Sequence, residues 1–216
     1  MPAPFVYAPF TLSNGAYQPQ LQVSWAPLAG ISVSNYEIYV DGAGANLGTT
    51  TSNVWIMTVA NGLTTNATHS FRLDYVKTDG ARSPLSPAAS GTTWSGQNWG
   101  GIPYEWMIQN YGTNTNQWPV ATLQPAVGGP TLKQIFLSGG SPNSPSTWLK
   151  TVLTPTAQGM FLNWNTQPGA TYQVQTTTDL QTWTNVGSPR FAAGTADSIY
   201  VGGSTVGYYR VTLLRQ

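Results

Sequence analysis

The sequence predicts a mainly β protein, with two antiparallel β-sandwich domains joined by a short, partly helical linker. Three observations predict it. Short runs alternate apolar and polar residues with period two, as strands with one buried face do. Turn signals drawn from 23 Gly and 16 Pro bound those runs. Only 7% of the 216 residues are charged, while nine Trp and 11 Tyr supply the large flat side chains that suit sheets. The 40% hydrophobic share is enough for a core. The expected boundaries are 1–94 for the first sandwich, 95–149 for the linker and 150–216 for a smaller second sandwich.

Met1 to Phe10 sets Pro2, Pro4 and Pro9 among Phe5, Val6, Tyr7 and Phe10. Pro blocks a helix and favours an extended path. Two readings stand. The segment is an apolar arm lying across a neighbouring subunit, adding a strand to a sheet edge; or it is the first strand of its own sandwich. Leu21–Trp25 alternates and is broken at Ala26-Pro27. Tyr36–Val40 follows and ends at the turn signal Asp41-Gly42; Val54–Val59 is a further strand. Ser70–Lys77 sets Phe71, Leu73 and Tyr75 on one face, and Asp79-Gly80 turns the chain.

Beyond Trp94 the pattern changes. Ser95–Gly101 reads as a polar joint. Residues 102–111 form a short helix with Pro103 in its first turn, stopped by Gly112. Leu132–Leu137 reads as a second, with Leu132, Ile135 and Phe136 on one face. Strands return at Met160–Trp164, at Thr171–Thr177 with Tyr172 and Val174 inward, at Asp179–Trp183, at Ser198–Val201 and at Gly207–Leu213.

Residues 10–94 resemble a fibronectin type III domain, in Val23-Ser24-Trp25, the Tyr36 strand, Gly62-Leu63, Phe71-x-Leu73-x-Tyr75 and the exit from Gly80 to Pro87. That family places a corner Tyr six positions after the Leu; here His69 stands there, and the resemblance implies that it bonds backbone at a sandwich corner. Gly101-Ile102-Pro103-Tyr104-Glu105-Trp106 and Gly129–Pro142 resemble the two ends of a dockerin-like calcium module of secreted Verrucomicrobia and Planctomycetes proteins. The acidic ligands are missing, because no Asp or Glu lies between Gly112 and Thr131, so no metal site is carried over. Gly169-x-x-Tyr172-x-Val174 and Asp179-Leu180-x-x-Trp183 resemble the small C-terminal β-sandwich of the same bacterial proteins. None of these families implies a fixed activity.

Chemistry is poorly provided for. The chain has five Asp, two Glu, one His and no Cys. Asp41, Asp79 and Asp179 sit in turns, where Asp bonds local backbone. Glu37 and Asp74 fall at outward strand positions, Glu105 near a helix start and Asp197 before a strand. Sequence brings no two together, as a glycosidase requires. There is no phosphate loop and no nucleophile elbow. A lone His without Cys is a poor metal ligand set. Catalytic residues, metal and cofactors are therefore all expected to be absent. A formal net charge of +1 without a basic run disfavours nucleic acid, and no apolar run is long enough for membrane insertion. The N-terminus shows no signal-like core, which fits a cytoplasmic chain or a mature one whose signal is not shown; extracellular or cell-surface placement is expected.

Trp invites a functional reading. Trp94, Trp99, Trp106 and Trp118 fall in or near the irregular middle. They stack on sugar rings, fill contacts between subunits, or staple the two sandwiches. Trp25, Trp164 and Trp183 read as core. The resulting expectation is a non-enzymatic structural protein, a self-assembling subunit of a bacterial surface filament, sheath or layer, whose partners are copies of itself. The alternative is a carbohydrate-binding or adhesive module with polysaccharide as partner.

Overall fold

The computed structural model describes residues 1–202 and 207–214. Two units divide the chain, Met1–Trp118 and Pro119–Gln216. Both are antiparallel β-sandwiches.

In the first unit β1 (Phe5–Tyr7) precedes a hairpin of β2 (Thr11–Ser13) and β3 (Ala16–Gln18). Asn14 and Gly15 both take positive φ there, as a tight two-residue hairpin turn requires. Next come β4 (Gln20–Ser24), β5 (Val33–Val40), β6 (Gly48–Thr50), β7 (Val54–Thr58), β8 (Thr68–Lys77) and β9 (Ala89–Thr92). One sheet has the order β1-β4-β7 and the other β6-β5-β8-β9. This three-plus-four arrangement is fibronectin-like. Leu21, Val23, Trp25, Ile38, Met57, Leu63, Phe71 and Leu73 fill the space between the sheets. Each such side chain contributes about 1.5–3 kcal/mol by leaving water.

The N-terminal segment is a strand of its own sandwich. Phe5, Val6 and Tyr7 pair with Ser24, Val23 and Gln22 of β4. Val6 packs on the core, and a Cβ on Gly91 would lie 2.4 Å from it. Phe10 is buried and stacks on Tyr17 with ring centroids 4.9 Å apart. The reading of Phe5, Val6, Tyr7 and Phe10 as an arm across a neighbour is thus overturned. β4 has an open ladder edge at that position, and three short Pro-punctuated residues suffice to fill it.

The segment 95–149 is divided between the units rather than standing apart. β10 (Asn98–Trp99), β11 (Ile102–Pro103) and α1 (Tyr104–Tyr111) belong to the first. α1 starts after Pro103, buries Trp106 and Met107, and stops at Gly112 with φ of 77°. α2 (Leu132–Leu137) belongs to the second. Its start is a reciprocal cap: Gln134 N–H donates to Thr131 Oγ1 (3.2 Å) and Thr131 N–H to Gln134 Oε1 (2.8 Å). Leu132, Ile135 and Phe136 are its buried face, as their spacing predicts.

The second unit continues with β12 (Thr151–Thr156), β13 (Gly159–Asn165), β14 (Thr171–Thr177), β15 (Thr184–Phe191), β16 (Ala196–Gly202) and β17 (Tyr208–Leu214). The sheets run β12-β13-β16 and β15-β14-β17. Leu162, Trp164, Tyr172, Val174, Ala192 and Val211 are the core. Trp183 is not among them. It is half-buried, with the Arg210 guanidinium 4.1 Å from its ring. The residues before it, 179–182, form a turn rather than a strand, with Leu180 at φ 60°.

Candidate functional site

Alternation along β5 and β8 puts Glu37 and Tyr39 on one strand, and Asp74 on the other, on the same outer face. Register then sets Glu37 directly opposite Asp74. Both fall at outward strand positions, as expected, yet both are covered, at 8% and 4% exposure. The cover is Arg82, carried back after the Asp79-Gly80 turn by a bridge between Val76 and Arg82. Its Nη2 lies 2.5 Å from Glu37 Oε1 and its Nη1 3.3 Å from Asp74 Oδ2. Tyr39 Oη and Asn46 Nδ2 donate to Glu37 Oε2 at 3.0 and 2.9 Å.

The two acids are not equivalent. Arg82, above all, holds Glu37 below the usual carboxylate range against the effect of burial. Burial pushes Asp74 up; Arg82 opposes this and the Glu37 charge adds to it, leaving Asp74 raised. Asp74 Oδ1 is buried without a hydrogen-bond partner. One guanidinium therefore bridges two carboxylates of opposite tendency. Its place on both of them leaves neither carboxylate facing an open cleft, where glycosidic acid and base must stand. The arrangement pins β5, β8 and the return at Arg82 together.

His69 meets a carboxylate, not the backbone that the family resemblance implied. Its Nδ1 lies 2.7 Å from Asp41 Oδ2, while Ser70 N–H donates to Asp41 Oδ1 at 2.8 Å. Burial raises Asp41, but the Ser70 amide and His69 outweigh it and leave the carboxyl lowered. Asp79 and Asp179 cap turns as expected, the first receiving Ala81 N–H and the second Gln181 and Thr182 N–H. These amides, Thr182 first, draw Asp179 down to about 2. Glu105 Oε1 receives Ser95 N–H at 2.8 Å. Among the described residues no group of three His, Asp or Glu is placed to hold a metal.

The four Trp of the middle region do not form an open row. Trp106 and Trp118 are buried. Trp118 Nε1 donates to Gly112 O (2.8 Å), and its ring meets Trp99 and Tyr104 edge-on at 5.9 and 4.9 Å. Trp94 is half-buried, its Nε1 donating to Ala8 O (2.8 Å) and its N–H to Tyr17 Oη (3.2 Å). All four thus lie in the first unit, where they tie α1 and the N-terminal strands to their own surroundings.

A shallow groove of about 350 Å³ in the second unit was invisible in the sequence. Lys150, Val152, Asn163, Asn165 and Ser198 line it. At its wall Arg190 makes a two-point pair with Asp197, at 2.7 and 2.6 Å, and lies 5.9 Å from the Trp164 ring. Burial raises Asp197, yet Arg190 and the Ser198 amide leave it lowered. Beside the groove Phe161 and Tyr200 stand opposite each other, edge to face at 5.5 Å. Amides, hydroxyls and an aromatic pair on one outer sheet face suit an uncharged, polyhydroxylated ligand. The single sequence signal was the alternation Phe161-x-Asn163-x-Asn165; its neighbours come from register.

No family profile matches the chain, and no curated protein does. Among solved structures it is similar to the sixth fibronectin type III domain of human fibronectin type III domain containing protein 3. That match has 20% identity and a TM-score of 0.30, and covers 42% of this chain and 79% of that one. It is also similar to FN3tt, at 22% identity and TM-score 0.32, covering 44% of this chain and 97% of that one. A third likeness is to the family 28 exopolygalacturonase of Yersinia enterocolitica, at 16% identity and TM-score 0.32; it covers 42% of this chain but only 20% of the enzyme. The fibronectin-like description of the first unit rests on its sheet order.

Proposed function

We propose that this chain is a non-enzymatic structural subunit that assembles with copies of itself, at the surface of or outside a bacterial cell, as part of a filament, sheath or layer. One observation carries the reading: several strands at sheet edges carry large exposed apolar side chains. Phe5 and Tyr7 lie on β1, Val152 and Leu153 on β12, Tyr200 on β16 and Tyr208 on β17, each an edge of its sheet. Open edges with apolar side chains are where other strands add. The surface has few charges to hold copies apart, since 7% of residues are charged and Glu37, Asp74, Asp41 and Asp197 are tied to Arg82, His69 and Arg190. Electron microscopy of the purified full chain over a concentration series tests this. Ordered polymers or sheets are expected; a strictly monomeric species at every concentration would reject it.

The second reading is a polysaccharide-binding module, favoured by the amide and aromatic side chains of Asn163, Asn165, Phe161 and Tyr200. Retention on insoluble polysaccharide by a monomeric chain, lost in Tyr200→Ala, is its distinguishing result.

A further inference from the structure

Strand β12 is an edge in which all six residues, Thr151 to Thr156, are exposed and none is charged. Thr151 and Leu153 pair with Trp164 and Leu162, so they share the face that those two bury in the core. Yet Leu153 is 42% exposed, and Val152 on the other face 59%. The strand overhangs the sandwich, with apolar surface on both sides.

Its backbone directions are fixed. A two-residue loop, Ala157-Gln158, joins the paired residues Thr156 and Gly159, which makes that a hydrogen-bonded pair. The Asn165 N–H donates to Lys150 O at 3.3 Å, in keeping with the same parity. Even-numbered residues therefore direct their backbone groups at β13, and Thr151, Leu153 and Pro155 direct theirs away from it. The outward row has donors at Thr151 and Leu153, none at Pro155, and acceptors at all three.

We infer that β12 is a self-pairing surface, to which β12 of a second copy adds antiparallel with Val152 opposite Val152 on a two-fold axis. This rests on the self-assembly reading above and gives that assembly a first contact. Hydrogen-bonded pairs across the new ladder must join outward residues to outward residues. Centred on Val152, Thr151 and Leu153 pair reciprocally and both use their donors. Centred on Leu153, Thr151 meets Pro155 and its carbonyl loses a partner. Charge opposes neither register, since Lys150 faces Thr154 of the second copy in the first and Thr156 in the other; the outward donors decide between them. The contact is isologous and closes at two copies, so a longer polymer needs a second surface. A single strand pair buries less than the roughly 1,200 Å² of a standard interface, so pairing depends on concentration.

The chain has no Cys, which makes cross-linking clean. Val152→Cys and Thr154→Cys, both at exposed positions, are oxidised mildly in the full chain. A non-hydrogen-bonded pair on the axis has Cα atoms about 4.5 Å apart, within disulfide reach. Val152→Cys is expected to give covalent dimers and Thr154→Cys not; equal yields, or none from Val152→Cys, would overturn the inference. Adding Leu153→Pro to Val152→Cys removes an outward donor without touching the β12–β13 ladder. Dimer formation should then slow about tenfold, the equivalent of about 1.4 kcal/mol; an unchanged rate also overturns it. Polymers of the wild-type chain that persist alongside a silent Val152→Cys defeat this contact while leaving self-assembly standing. A wild-type chain that never associates defeats both.

Discussion

Phe10→Ala against Phe5→Ala separates a strand of the molecule's own core from an arm meant for a neighbour. The two residues are of one type and five positions apart, but Phe10 is 6% exposed and Phe5 38%. Phe10 also stacks on Tyr17 with planes 12° apart. Truncating a buried Phe costs about 3–5 kcal/mol, of which about 0.5–1.5 kcal/mol is ring stacking. A half-exposed position costs about 1 kcal/mol or less. For a unit spanning Met1–Trp118, each kcal/mol moves the melting temperature by about 3–6 °C. Phe10→Ala should therefore lower the first unit's transition by about 10–20 °C and Phe5→Ala by about 5 °C at most. Scanning calorimetry on dilute, monomeric protein is the assay, because it separates the transition of one unit from the other. Equal small shifts would refute the placement of Phe10. So would a Phe10→Ala effect seen only in assembled material, which is the signature of an arm binding a second copy.

Asp74→Asn probes the bridged acid pair. Because the folded-state pKa of Asp74 lies above its unfolded value, the wild type loses stability as pH rises through that range, and Asn does not. The variant should gain on the wild type as pH climbs from about 4, the unfolded value for Asp; a constant difference in denaturation midpoint, or a gain on acidification, contradicts the raised pKa. Chelator should leave both melting transitions in place, since the described residues hold no cluster of three metal-ligating groups; a drop of several degrees would mean that amide and backbone oxygens hold an ion. Assembly, followed by light scattering, should respond weakly to added salt, because ionic screening acts on neither apolar contacts nor strand hydrogen bonds. Dissolution by moderate salt would shift the contacts onto ion pairs.

Strands that alternate were legible, whether inside a sheet or, like β7, β16 and β17, at its edge; the edges β12 and β15 were not. β4, β5, β7 and β8 announce themselves by alternation, and α1 and α2 by a Pro start, Gly stops and a three-four apolar spacing. β12 and β15 carry Pro155 and Pro189, which argue against a strand in a sequence taken alone. Edges tolerate Pro because one side of their ladder is unpaired, so the signal that hid them is the one that marks their place. The hairpin of β2 and β3 had a readable sign in Asn14-Gly15, and only its short flanking runs concealed it. For the site, alternation places Glu37 and Asp74 each on an outer face, but their meeting depends on register and on the return of Arg82 from beyond a turn. Trp183 was misread because its partner, Arg210, is distant in sequence and holds it at the surface. His69 replaces a corner Tyr with a side chain whose partner, Asp41, lies in a turn 28 residues earlier.

Scarce charge changes how a β-sandwich protects its edges. Lys along an edge strand is a usual guard, and this chain has three Lys in all. What remains is short strands, Pro and distortion. β6 is three residues long, and a Cβ on its Gly48 would lie 2.7 Å from Trp55 Nε1. β15 combines Pro189 with Gly187 at φ 67°, and its register against β14 shifts between Tyr172 and Val174. Such a bulge twists an edge away from a straight partner. β12 has one of these devices, Pro155, set near its turn, and nothing at Val152 or Leu153. A monomer selected against pairing leaves a run of exposed, uncharged residues unguarded at Val152 and Leu153 only if that strand is covered by something else. Within the described residues β12 is exposed along its whole length. The distribution of guards therefore argues for use of this edge, and it locates the use at the centre of the strand rather than at the turn.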